Sequence, residues 1–159
     1  MSIPSRLSSY LEQRGARYDL RAHKPSRSSA ETARLARVLP RQLAKSVILE
    51  DAAGYLMAVL PADKTVMLGQ LSQLLGRHAL RLSAENRIAA LFEGCDRGAV
   101  PPVGMAWGME TIVDDELEAN EVVYMEGGDH ASLLHMSREQ FHELMSAALH
   151  GHFCKTPLH

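Results

Sequence analysis

The sequence predicts a mixed α/β fold, with a central mixed, largely antiparallel twisted sheet surrounded by helices. Three observations carry this. Apolar residues recur at helical spacing near both ends of the chain and between, short β-rich runs bounded by turn signals fill the middle, and neither a Rossmann nor a P-loop glycine pattern occurs. At 159 residues, 46% of them apolar, the chain reads as a single domain over 1–159 with its core at about 5–150 and a polar tail at 151–159.

The elements follow in order. Ile3, Leu7, Tyr10 and Leu11 form one face of a first helix, and Gly15 stops it. ARYDL (16–20) reads as a short strand leading to His23. Ser28 and Glu31 have capping-box spacing, opening a second helix with Leu35, Val38 and Leu39 on its apolar side and Pro40 as its end. Two β-rich runs, Lys45–Glu50 and Tyr55–Leu60, flank the turn Asp51-Ala-Ala-Gly54, a hairpin signal. Leu68–Leu75 is a short helix closed by Gly76, and ALRLS a short strand. Ser83 is placed to cap a helix running through Ile88 and Leu91 to Phe92. The stretch from Gly94 to Gly104, with its glycines and paired prolines, is a loop. Strands follow at Glu110–Val113, Val122–Met125 and Ser132–Met136. A second capping box, Ser137 with Gln140, opens a closing helix carrying Phe141, Leu144, Met145 and Leu149.

Composition narrows the function classes. No apolar stretch is long enough to span a bilayer, and MSIPSRLSSY has no signal-peptide run, so a cytoplasmic protein without a membrane partner is expected. Cys95 and Cys154 form no CxxC pair, which favours free thiols in a reducing compartment. Net charge is −2, but it is divided unevenly. Between Met1 and Lys45 ten Lys and Arg face only Glu12, Asp19 and Glu31, a net of +7 that leaves −9 for the rest. Such a dipolar chain can turn one face to a polyanion, although solvated helical faces are the commoner origin of charge runs.

Three places can hold chemistry. Lys45 opens the strand KSVILE, where an ammonium can meet a phosphate or a developing oxyanion; by residue type alone a lysine snorkelling from a strand end is the more frequent case. Gly98-Ala99-Val100-Pro101-Pro102 is stiffened by its prolines and leaves room beside its small residues, as the wall of a small pocket or as an ordinary surface connection. In Glu126-Gly127-Gly128-Asp129-His130 the glycines can aim backbone N–H groups at a carbonyl oxygen, with His130 orienting an amine, water or hydroxyl; a plain hairpin turn fits equally well. His142, His150, His152 and Cys154 match neither HExxH nor zinc-finger spacing and read as a frayed polar end, so no metal or other cofactor is expected. Without a GxSxG, and with no histidine partner evident for either cysteine, acyl-enzyme chemistry is disfavoured.

Taken in order, these features resemble the YbaK/EbsC-type aminoacyl-tRNA deacylases, the family of the prolyl-tRNA synthetase-associated editing domain. His23, the lysine strand LAKSVILED, AVLPAD (58–63), GAVPPVG and the late GGDH carry the resemblance from about Tyr10 to the closing helix. It implies a single domain of that fold, hydrolysing the ester between a wrong amino acid and the terminal adenosine of tRNA, without a metal or a nucleophilic side chain. It also implies roles. Lys45 would hold the terminal phosphate and position the ester, and Gly127 and Gly128 would face the ester carbonyl with His130 beside them. Gly98, Ala99, Val100 and Pro101 would shape the amino-acid pocket, with Ser46 and His23 also on the substrate side. The partner implied is the acceptor end of tRNA, with an aminoacyl-tRNA synthetase as a further candidate. Ser46 follows the lysine where some relatives carry other polar residues, so alanyl, seryl, threonyl and cysteinyl esters all stay open. Two other readings of the residues stand beside this one: a module that binds aminoacyl-tRNA or a nucleotide without turnover, and a hydrolase using the histidines to hold a metal.

Overall fold

The computed structural model describes residues 3–158. Helix α1 (Ser5–Gln13) buries Leu7, Tyr10 and Leu11, the spacing read from the sequence, and the chain leaves it through Gly15 at φ +60°. Strand β1 (Asp19–Ala22) starts later than the apolar run 16–20 implied. Ala16 and Tyr18 are first drawn onto the core and Arg17 N donates to Gln140 Oε1 at 3.0 Å, so ladder pairing begins only at Asp19. In α2 (Ser29–Ala36) the predicted cap is present, Ser28 Oγ accepting from Glu31 N at 3.1 Å. The helix stops short of Val38 and Leu39, which were expected inside it. Arg37 takes a left-handed φ of +58° and Val38 N reaches back to Ala33 O at 2.9 Å, a C-terminal cap that turns Val38 inward and leaves Leu39 exposed.

The hairpin of β2 (Leu43–Asp51) and β3 (Gly54–Pro61) is continuous from Ala44↔Pro61 to Asp51↔Gly54, longer at each end than its apolar runs. Lys45 is therefore inside β2 and does not open it. A two-residue β4 (Thr65–Val66), unmarked in the sequence, precedes α3 (Leu68–Leu75), which Gly76 closes as expected. Strand β5 is only Arg81–Leu82, and α4 (Glu85–Leu91) has Ala84 rather than Ser83 at its cap position. Ser83 is instead drawn under the sheet edge, its N–H donating to Ile48 O at 3.0 Å.

After the Gly94–Gly104 loop come β6 (Thr111–Asp114), β7 (Val122–Glu126), β8 (Ser132–Ser137) and α5 (Arg138–Leu144), the last capped by Ser137 Oγ on Gln140 N at 3.1 Å. The closing helix does not reach Leu149, which lies in β9 (Leu149–Gly151); β10 (Cys154–Lys155) then pairs with β4. The expected frayed end is thus ordered. Phe153 and Cys154 are buried, and the fully buried Asp114 carboxylate accepts both their N–H groups, at 2.8 and 2.9 Å.

The main sheet runs β1-β8-β7-β2-β3-β6-β9, with β5 added to one stretch of β2. It is mixed, as predicted: β1/β8, β8/β7, β2/β3 and β2/β5 are antiparallel, while β7/β2, β3/β6 and β6/β9 are parallel. Both faces are covered. Helices α1 and α5 pack with Met57, Val59, Val113 and Met125 on one side; α3 (through Leu71) and α2 (through Ala33 and Ala36) cover the other. No helix among the described residues is long and apolar enough to cross a membrane.

Candidate active site

A gap in the sheet makes the site. Strands β2 and β7 are neighbours only over Leu43–Ala44 and Tyr124–Met125, and β5 joins the same edge of β2 only at Leu49 and Glu50. Between these two contacts that edge of β2 has no strand beside it. Side chains alternate along a strand, so the next residues past the paired positions, Lys45 and Glu126, leave on the face carrying Leu43 and Tyr124. The Ser83–Ile48 bond shows that even-numbered residues of β2 turn their backbone toward this edge, so Ser46 presents its own N–H and C=O to the gap. The opening leads into a cleft of about 220 Å³ bounded by Lys45, Ser46, Ile48, Gly98, Val100 and Glu126, with Ser29 of α2 and Ser83, Glu85 and Ile88 completing it.

Two ionisable groups line this cleft without pairing with each other. Burial pushes the Lys45 ammonium below its ordinary pKa, with Asp63 and Cys154 pulling back up, and Lys45 forms no ion pair among the described residues. Glu126 is 2% exposed, and neither of its carboxylate oxygens has a hydrogen-bond partner. Burial raises its pKa, against smaller opposite pulls from Thr32, His130 and His23. Thr32 lies close, but its hydroxyl sits 2.5 Å from Ser26 Oγ and makes no well-formed bond to the carboxylate.

The opposite wall is the Gly98–Pro102 loop, tied down from two sides. Ser46 Oγ donates to Val100 O at 3.0 Å, and His130 Nε2 donates to the carbonyl of Arg97. His130 holds a left-handed φ of +56°, uncommon for a residue with a side chain, and its Nδ1 is 3.5 Å from Ser26 Oγ. Gly98 is needed where it stands: its φ is +78°, and a Cβ there would come within 3.4 Å of the His130 ring.

The sequence-derived candidates therefore divide. Lys45, Ser46, Gly98 and Val100 line the cleft; Ala99 and Pro101 are buried beneath the loop and support it. His130 faces an adjoining recess of about 610 Å³ with Arg27, Asp96, Arg97 and Asp129, and its ring is spent on the protein rather than left free for an amine or water. His23 Nδ1 donates to Lys24 O at 2.8 Å, and its buried Nε2, near Glu126, has no hydrogen-bond partner among the described residues. The glycine nest is corrected at Gly127, whose N–H is already donated to Ser132 O at 3.0 Å; a Cβ on Gly127 would meet Ile3 at 3.3 Å and one on Gly128 would meet Pro4 at 3.0 Å. These glycines admit the start of α1. Glu126 was passed over as the first letter of a turn; the signal available was an acid ending the otherwise apolar strand VVYM.

Away from the cleft, the late histidines are gathered rather than frayed. Asp114, His152 and Cys154 have ligand atoms within 4.8 Å of one another, as do Asp115, Glu118 and His150. Asp114 already accepts N–H groups from Glu116, Phe153 and Cys154, so most of its lone pairs are committed. Burial pushes the Cys95 thiol up to about 11 and Cys154 higher still, so both are protonated at neutral pH and unsuited to attack.

A family model of the aminoacyl-tRNA editing domain matches residues 23–144, a span containing the whole cleft. The chain belongs to that family. The resemblance read from LAKSVILED to GGDH is thereby borne out. The editing domain superposes on the hypothetical protein APE2540 with a TM-score of 0.82 at 29% identity, over 94% of this chain and 99% of that one. It matches a structure described as a proposed trans-editing enzyme for prolyl-tRNA synthetase with a TM-score of 0.81 at 22% identity, over 95% and 96% of the two chains. A proposed signal transduction protein from Marinobacter aquaeolei VT8 shares the fold at 22% identity and a TM-score of 0.77, over 96% of this chain but only 31% of the other. No curated protein sequence matches.

Proposed function

We propose that this editing domain hydrolyses the ester of a mischarged aminoacyl-tRNA in trans, acting on a small acyl group such as alanyl, seryl, threonyl or cysteinyl. The observation that carries this reading is the cleft at the parting of β2 and β7, where a half-buried lysine that forms no ion pair among the described residues meets a wall of small, tethered loop residues. An ammonium held in that way attracts the phosphate of the terminal nucleotide and fixes the ester beside it. The cleft's 220 Å³ is below the roughly 300–1,000 Å³ of sites that enclose a whole drug-sized ligand, which supports a small acyl group inside with the adenosine largely outside.

In the reaction, water adds to the ester carbonyl carbon and the bond to the ribose oxygen breaks. The ribose oxygen takes up a proton and the amino acid leaves as its carboxylate. Aminoacyl esters are labile, so orientation and a few fixed dipoles suffice; Ser46 N–H at the open edge of β2 is one such donor, and the neighbouring ribose hydroxyl helps to activate water. Exposed Arg and Lys residues of the N-terminal third, with Arg27 at the adjoining recess, steer the acceptor stem. A synthetase partner and a cytoplasmic setting accord with a substrate drawn from translation.

The test is a panel of mischarged tRNAs incubated with micromolar protein. Release of one small amino acid, lost in Lys45→Ala, is expected. Salt-sensitive tRNA binding with no release would identify a binding module instead, and loss of release on chelation would bring in the histidine clusters.

A further inference from the structure

A carboxyl group with 2% exposure and both oxygens unbonded is costly whichever form it takes. Ionised, it is a buried charge without a partner; neutral, it still leaves acceptors empty. Among the described residues no neighbour makes a well-formed hydrogen bond to Glu126. The Thr32 hydroxyl sits against Ser26 Oγ, His130 Nε2 is on Arg97 O, and His23 Nδ1 donates to Lys24 O while its Nε2 makes no hydrogen bond among the described residues. Asp129 is itself an acid, held by Ala131 N and Ser132 N at 2.9 Å each. Lys45 shares the cleft, yet the charge that pulls on it is that of Asp63. A ligand entering the cleft can supply the donor that these groups do not.

It must be small, to enter the cleft, and rich in N–H, to serve two carboxylate oxygens. An aminoacyl ester carries such a group one carbon from its carbonyl. We propose that Glu126 is the subsite for the α-ammonium of the aminoacyl group, so that the domain takes esters with a free α-amine and rejects N-acylated ones such as formylated or peptidyl esters. The identity of the ligand rests on the deacylase reading above. The division of the cleft then has a chemical sense: Lys45 holds the anionic end of the substrate and Glu126 its cationic end, with the scissile ester between them. N-acylation removes the charge and adds bulk next to a buried acid, so it is penalised twice. Burial keeps the empty carboxyl protonated more readily, and the arriving cation restores the carboxylate as a proton leaves to solvent.

The test uses three non-hydrolysable probes, each an adenosine 5′-phosphate with a 3′-amide: alanyl, N-acetylalanyl and lactyl, the last with a hydroxyl in place of the amine. Titration calorimetry on the full chain should find the alanyl probe bound about tenfold or more tighter than the other two, as a charge-assisted hydrogen bond provides. In Glu126→Gln the alanyl affinity should fall to that of the lactyl probe, while lactyl binding changes less than about twofold; Glu126→Asp should recover part of the preference. Equal binding of the three probes by the unmodified protein, binding of none, or a preference retained in a folded Glu126→Gln protein would overturn the proposal. Should Glu126→Gln not fold, the alanyl-to-lactyl ratio of the unmodified protein decides. Turnover of alanyl-tRNA, measured in parallel, separates the two readings. Preference without turnover leaves the amine subsite and removes hydrolysis; turnover without preference does the reverse.

Discussion

The two ends of strand β2 treat charge in opposite ways. At the hairpin end, Glu50 is paired with Arg81 at 3.1 Å and Arg87 at 2.6 Å, and Asp51 holds Arg77 through two bonds of 2.9 and 2.6 Å. Asp51 also accepts from Ala53 N, and Arg77 reaches Gly54 O, so the turn is clamped to the end of α3. Five residues back along the same strand, Lys45 has no ion pair and the Glu126 carboxylate across the fork has no hydrogen-bond partner among the described residues. Satisfied charges hold the hairpin together. Unsatisfied ones stand in a cleft, where a ligand can complete them, and their cost is borne by the rest of the fold.

This contrast can be broken at either end. The largest effect is expected from Lys45→Ala, which should lower deacylation by at least about a hundredfold while leaving Tm unchanged or raised, because an unpaired half-buried cation is removed; single-turnover deacylation and thermal denaturation read the two. Glu50→Gln should do the converse. It should cost about 1.5–3 kcal/mol of stability in urea denaturation, the range for hydrogen bonds to charged groups, and leave deacylation within a few-fold. Equal loss of activity in both variants would erase the distinction between the ends.

A pH effect sharpens the comparison. Arg77 first, with the turn N–H groups assisting, holds the Asp51 carboxyl down at about 2, against an ordinary 3.8. A depressed folded-state pKa contributes stability that is complete above 3.8 and lost as pH falls toward 2. Arg77→Ala should therefore flatten the acid limb of Tm against pH in that window, and an unchanged limb would separate Asp51 from the hairpin's stability. Smaller still, Arg27→Ala should reduce the salt dependence of tRNA binding by about one unit of slope, as measured by filter binding between low and moderate salt.

How much of this was legible follows from what local chemistry can encode. The Leu7, Tyr10, Leu11 face and the Ser28 and Ser137 caps depend only on near neighbours, and they appear as read. Gly98 and Val100 stand in a Pro-Gly loop that marks itself in sequence, whereas Lys45 gains its role, and Ser46 its mention, from the family resemblance. The isolation of Glu126 did not show, because it depends on where two strands part, which no local pattern records. The nest failed at Gly127 for a related reason: glycine permits both an exposed N–H and a close approach, and only the position of Ile3 and Pro4 decides between them. Strands β4 and β10, two residues each, are too short to carry a period.

The Asp114 carboxylate gives the order of synthesis a meaning. Burial alone would raise its pKa, and the donors that more than offset this include N–H groups about 40 residues downstream, on Phe153 and Cys154. A chain emerging from the ribosome can assemble β2, β3 and β6 early, yet the acid at the end of β6 lacks those two donors until residue 154 has cleared the exit tunnel. Until then Asp114 has only the local Glu116 N–H as a backbone donor, so the segment that carries Phe153 and Cys154 acts as a latch on the edge of the central sheet.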